Sequence, residues 1–188
     1  MKLKLRFTTI ALLSFLSLSA CSKAEQPKIA FAAPKEQPVK ATLITKHSAM
    51  RVGMPTRVGV LFEMKEGWHI YAKNPGDAGM PTKIEWKPQA WQLFGPLQWP
   101  APEDFIDAGD IHTHGYTGIV VLWSELSSKL GFNRSSVGEE PVSAHVEWLA
   151  CHEICLPGSA DLTASIALTE GEPVLSAHEE AFEQVNPQ

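Results

Sequence analysis

Between residues 39 and 168 the chain holds no helical period for long; it alternates, breaks at a turn, and alternates again. The runs are Val39 to Thr45, Thr56 to Met64, Trp68 to Lys73, Lys83 to Trp86, Trp91 to Leu97, Thr117 to Trp123, Ala144 to Ala150 and Leu162 to Leu168. Gly53-Met54-Pro55, Glu66-Gly67, Asn74-Pro75-Gly76, Gly79-Met80-Pro81, Gly95-Pro96 and Gly138 separate them. These are residues that preset turn dihedrals. In Thr56–Met64, strict alternation puts Val58, Val60, Phe62 and Met64 on one face. A parallel sheet would need crossover helices that this pattern lacks. The sequence therefore predicts an all-β protein, an antiparallel β-sandwich of short strands. Only about 174–185 reads as helix: Ala177, Ala181, Phe182 and Val185 line one side, and Glu179, Glu180 and Glu183 face water.

The first twenty residues stand apart from this pattern. Lys2, Lys4 and Arg6 precede an apolar run from Phe7 to Leu18 that is too short for a stable membrane span. Leu18-Ser19-Ala20-Cys21 then resembles the lipobox of bacterial lipoproteins, in which the cysteine is lipidated and becomes the mature N-terminus. Residues 1–20 are thus expected to be a signal peptide and 21–39 a lipid-anchored tether, rich in Ala, Lys, Gln and Pro, leaving 40–188 as one domain. Ser22 after the lipidated cysteine resembles the outer-membrane sorting default. Loss of the signal leaves 13 basic against 21 acidic residues, a net of −8 with histidine neutral. That balance argues against nucleic acid as a partner.

With Cys21 lipidated, Cys151 and Cys155 remain to pair with each other or with a partner, in a compartment where disulfides persist. Residues four apart in an extended strand are about 13 Å from each other. A disulfide needs Cα atoms within about 7 Å. If the sulfurs meet, the chain must turn back through His152-Glu153-Ile154, with Pro157-Gly158 forming a turn just beyond. Three uses are open to such a pair. It can shuttle between dithiol and disulfide by thiolate attack. It can be a staple, although so small a loop gains little closure entropy. Or Cys151, His152 and Cys155 can offer soft metal ligands, short of a closed zinc site by one. Spacing and compartment favour redox activity.

A second constellation is His112-Thr113-His114. On a strand the two rings share a face about 7 Å apart and could hold copper or zinc, with Met50, Met54, Met64 and Met80 as further ligands for Cu(I). The plainer reading is two solvated histidines and methionines that fill the core. Trp68, Trp86, Trp123 and Trp148 are core candidates, whereas Trp91 and Trp99, beside Pro-rich turns, are the candidates for exposure. No phosphate loop, dinucleotide fingerprint or Ser-His-Asp arrangement is present, so no cofactor is expected.

The blocks Gly67-Trp68-His69-Ile70-Tyr71, Asn74-Pro75-Gly76-Asp77-Ala78-Gly79-Met80-Pro81-Thr82, Ile84-Glu85-Trp86 and Trp148-Leu149-Ala150-Cys151 with Cys155-Leu156-Pro157-Gly158 carry a resemblance. They are similar to the N-terminal periplasmic domain of the thiol:disulfide interchange protein DsbD, on the branch containing the copper-sensitivity suppressor ScsB. The resemblance covers about residues 40–168. It implies an immunoglobulin-like sandwich in the periplasm of a Gram-negative cell. It also implies a redox pair at Cys151 and Cys155, fed by a membrane-embedded thiol reductase and discharging to periplasmic thioredoxin-fold proteins. In that family a loop shields the pair, and Asp110 to Tyr116 falls in the corresponding region. Three residues separate the cysteines here, fewer than in the best-known members. Because the sequence ends at Gln188, a standalone copy reduced by another polypeptide is expected. The competing class is a metal-handling or structural partner-binding lipoprotein whose disulfide is structural.

Overall fold

The computed structural model describes residues 37–107, 109–129 and 138–183. The signal, Cys21 and nearly all of the tether lie outside the described residues. All described residues belong to the contact-defined unit Pro34–Gln188. Twelve strands follow in order: β1 (Val39–Thr45), β2 (His47–Arg51), β3 (Thr56–Met64), β4 (His69–Gly76), β5 (Lys83–Trp86), β6 (Gln92–Phe94), β7 (Glu103–Asp107), β8 (Ile111–Thr117), β9 (Ile119–Ser128), β10 (Gly138–Cys151), β11 (Cys155–Thr169) and β12 (Val174–Leu175). They form two sheets, as the alternating pattern predicts, and the fold is an immunoglobulin-like sandwich. One sheet runs β1-β3-β9-β6; the other runs β12-β2-β11-β10-β4-β8-β7, with β5 also on β10. Among the described residues only β2 and β11 pair in parallel.

The core lies between the sheets. Val58, Val60 and Phe62 of β3 lie beside Leu122 of the neighbouring β9, and Val142, Val146 and Ile166 of β10 and β11, from the other sheet, join the same cluster. Each of these buried side chains contributes about 1.5–3 kcal/mol. The Phe62 ring meets Trp148 edge-on, with centroids 5.7 Å apart. Trp91 departs from expectation: it is buried, and its Nε1 donates to Glu140 Oε2 at 3.2 Å. A partner for the indole N–H is what lets this ring go inside. Trp99 is partly buried against the core.

Of the stretch 174–185 read as a helix, residues 174–183 are described, and they are less helical than their periodicity suggested. Val174–Leu175 instead completes the open edge of β2, and Glu179–Phe182 makes a single 3₁₀ turn. An edge strand satisfies backbone groups that a short terminal helix would leave to water. The buried anchor of the turn is Phe182, set among Ile44, Val121 and Trp123 on the outer side of the β1-β3-β9-β6 sheet. The Arg57 guanidinium lies 4.4 Å from the Trp123 ring centroid and donates to the Phe182 carbonyl at 3.1 Å. Lys46 pairs with Glu183. Among the described residues no helix is long and apolar enough to cross a membrane.

Candidate functional site

β10 and β11 pair without a break from Gly138↔Leu168 to Cys151↔Cys155. At that end the chain reverses through His152, Glu153 and Ile154, and the His152 N–H donates to Ile154 O at 3.1 Å. The two cysteines are joined in a disulfide with Cα atoms 4.1 Å apart. The reversal required by the spacing is therefore a three-residue hairpin loop. Beyond it, Pro157-Gly158 continues β11 rather than turning.

The two sulfurs occupy unlike surroundings. Cys151 is 3% exposed, whereas Cys155 is an exposed residue at the start of β11. Ile154 beside it is 62% exposed. Along β11, Cys155, Pro157, Ser159 and Asp161 are exposed while the residues between them turn inward. The disulfide thus sits on the outer face of its sheet, at the hairpin's end.

β4 buries Cys151. His69 is the Cα partner of Cys151, and Tyr71, two residues on, shares its face of the strand. The Tyr71 hydroxyl donates to Cys151 Sγ at 3.3 Å. His69 packs edge-on against Tyr71, with centroids 5.1 Å apart, and stacks on Phe105 of β7 at 4.7 Å. Gly115 on β8 lets that strand lie close against the β4 backbone. A Cβ there would lie 2.2 Å from the Ile70 carbonyl and 3.4 Å from Phe105 Cε2. His152, the neighbour of Cys151 in sequence, turns to Trp68, with ring centroids 5.9 Å apart.

The Asn74–Thr82 segment folds back over the same rings. Asp77 ties it to β8: its N–H donates to His112 O at 2.8 Å, and its Oδ2 accepts from the His112 N–H at 3.0 Å. Thr82 Oγ1 donates to the Tyr71 carbonyl at 2.8 Å.

The histidine pair forms no comparable centre. His112 and His114 both lie on β8, where His112 is exposed and His114 Nδ1 meets Asp104 Oδ1 at 2.7 Å. Among the described residues no three His, Cys, Asp or Glu side chains are grouped to hold a metal ion. Met50 and Met64 are in the core, and Met54 and Met80 are exposed. Asp110 to Tyr116, the region corresponding to the family's shielding loop, is mostly strand β8. The ring that reaches the disulfide's surroundings is Phe105, one strand further out. Sequence reasoning also passed over His69 and Tyr71. Their alternation within Gly67–Tyr71 marks one face of a strand, but only the pairing of β4 with β10 shows that this face meets Cys151.

The family described as thiol:disulfide interchange protein DsbD, N-terminal, matches residues 35–167. Among solved structures, the N-terminal periplasmic domain of ScsB from Proteus mirabilis superposes with a TM-score of 0.56 at 20% identity, over 82% of this chain and 57% of that one. The N-terminal domain of Neisseria meningitidis DsbD in the reduced form gives 0.43 at 17% identity, over 71% of this chain and 88% of that one. This chain therefore spans little more than half of the ScsB domain's length. No curated protein matches the sequence.

Proposed function

The chain belongs to the family of DsbD N-terminal thiol:disulfide interchange domains, and on that premise we propose that Cys151 and Cys155 relay electrons from a membrane-embedded thiol reductase to envelope proteins of thioredoxin fold. One observation carries the reading: a bonded cysteine pair in which Cys155 is an exposed residue and Cys151 is covered. Thiol–disulfide exchange needs a sulfur that a partner thiolate can approach in line. Cys155 is that sulfur, and Cys151 is the leaving group. A staple would gain nothing from exposing one end, and this loop is too small to add much stability.

The setting follows the same reading. A periplasmic location fits the family, and the charged start, apolar run and Leu18–Cys21 block support a lipid anchor at Cys21, with Ser22 favouring the outer membrane. Changing Cys21→Ser is expected to move the protein from the membrane fraction to the soluble one.

Trapping tests the exchange reaction. Cys151→Ala leaves Cys155 free and is expected to accumulate mixed disulfides with envelope thioredoxin-fold proteins. Cys155→Ala, whose remaining thiol is covered, is expected to trap few. Equal absence of adducts in both variants would contradict the proposal.

A further inference from the structure

We propose that Tyr71 is a catalytic residue of this exchange: its hydroxyl stabilises the Cys151 sulfur as it leaves, and the Asn74–Thr82 segment is the clamp that holds the hydroxyl in place. The inference rests on the exchange reading above and assigns the chemistry of its second sulfur.

The hydroxyl donates to Cys151 Sγ at 3.3 Å, between residues that are 4% and 3% exposed. A sulfur within a neutral disulfide is a weak acceptor. A thiolate accepts a charge-assisted hydrogen bond, roughly twice as strong as a neutral one. The same contact therefore strengthens as the S–S bond breaks, and only such differential stabilisation speeds a chemical step. Burial sharpens the need for it. A covered thiolate without a donor is costly, and its thiol would titrate well above the ordinary range.

A thiolate of the partner's dithiol attacks Cys155 Sγ. A bond forms between the partner's sulfur and Cys155 while the Cys151–Cys155 bond breaks. The electron pair passes to Cys151 Sγ, which accepts the Tyr71 hydrogen bond. The partner's second thiolate then attacks its own sulfur in the mixed disulfide and releases Cys155 as thiolate. Cys151 and Cys155 gain two electrons and take up from water the two protons that the partner's thiols gave up, leaving the partner as a disulfide.

The clamp explains a block that the fold alone does not require. Gly79 lies against the ring at φ 94°, where a Cβ would come 2.3 Å from Tyr71 Cε1 and 2.5 Å from Cζ. Glycine is needed there both for the dihedral and for the close approach. From below, Thr82 holds the Tyr71 carbonyl through both its hydroxyl and its N–H, at 2.8 and 3.3 Å. Asp77 fastens the loop to β8. The ring is thus fixed at its backbone and across its face, and its hydroxyl end meets the sulfur.

The test uses the full chain with Cys21→Ser, so that only the pair contributes thiols. With Cys155→Ser added, Cys151 is titrated by thiolate absorbance. Tyr71→Phe is expected to raise its midpoint by about one pH unit, a tenfold change in thiolate-to-thiol ratio. In the disulfide form, dithiothreitol is expected to cleave the Tyr71→Phe protein roughly three- to tenfold more slowly. Gly79→Ala, which keeps the hydroxyl but displaces the ring, is expected to move both readouts the same way and carries the test if Tyr71→Phe does not fold. Titration of Cys155 in the matching Cys151→Ser background is expected to stay put. A folded Tyr71→Phe protein with unchanged midpoint and rate would overturn the role of Tyr71 while leaving exchange intact. A parent protein that dithiothreitol does not cleave at all would sink the exchange reading, and this inference with it.

Discussion

Trp148 lies across its cross-strand partner Gly158, with indole atoms where a side chain at 158 would begin: a Cβ built there sits 2.3 Å from Trp148 Cε2. The same indole meets Phe62 of the opposite sheet. The glycine therefore lets the disulfide hairpin close onto the core. Gly158→Ala is expected to push the ring out of place and cost about 1–3 kcal/mol, the usual range for overpacking. Urea unfolding checks this through a lower midpoint.

Phe62 is fully buried at the centre of the sandwich. Phe62→Ala is expected to cost about 3–5 kcal/mol in the same assay.

Reduction of the pair should leave the domain folded. The hairpin is held by a continuous ladder from Gly138 to Leu168, and closing so small a loop contributes only about 2 kcal/mol on the chain-entropy account. Far-UV circular dichroism of the reduced protein is expected to match that of the oxidised one, with a modestly lower melting temperature. Unfolding on reduction would mark a staple.

Stability is expected to fall as the pH drops below about 6.5, and His47 is one source. Its pKa is lowered from 6.5, first by partial burial and then by the Lys46 charge, while Glu179 pulls the other way. The folded protein thus binds this proton less readily than the unfolded chain does. His47 favours folding above the unfolded pKa and loses that advantage as the pH falls through the lower, folded one. The ring lies beside the C-terminal strap: Nδ1 is 2.7 Å from Thr56 Oγ1, and Leu175 is its Cα partner. His47→Gln is expected to flatten the decline in melting temperature between pH 7 and pH 5.

Much of the architecture was legible because burial imposes a period of two. The bounds of β1, β3 and β5 follow directly from alternating or apolar residues between turn formers, and the Cys151–Cys155 spacing alone demanded a reversal. β2, β7 and β8 were not read as strands. His47–Arg51 and Glu103–Asp107 are edge or near-edge segments with polar residues on both faces, so they carry little hydrophobic alternation. The helix read near the C-terminus shortens, among the described residues, to the single turn Glu179–Phe182, because Val174–Leu175 is drawn into the sheet edge instead. The site was half legible. Two cysteines announce themselves, but Tyr71 reaches Cys151, and Phe105 reaches the neighbouring His69, only through strand pairings distant in sequence. His112 and His114 looked like ligands because residues two apart on a strand do share a face, yet no third donor joins them among the described residues.

Electron exchange by Cys151 and Cys155, rather than mere closure of the chain on itself, is the proposal on which the function stands. Its most direct test is the reduction potential of the pair, obtained by equilibrating the protein with graded dithiol–disulfide buffers and counting free thiols. A value above about −300 mV is expected, within reach of cellular thiol donors. A potential far below that would identify a structural disulfide and contradict the proposal.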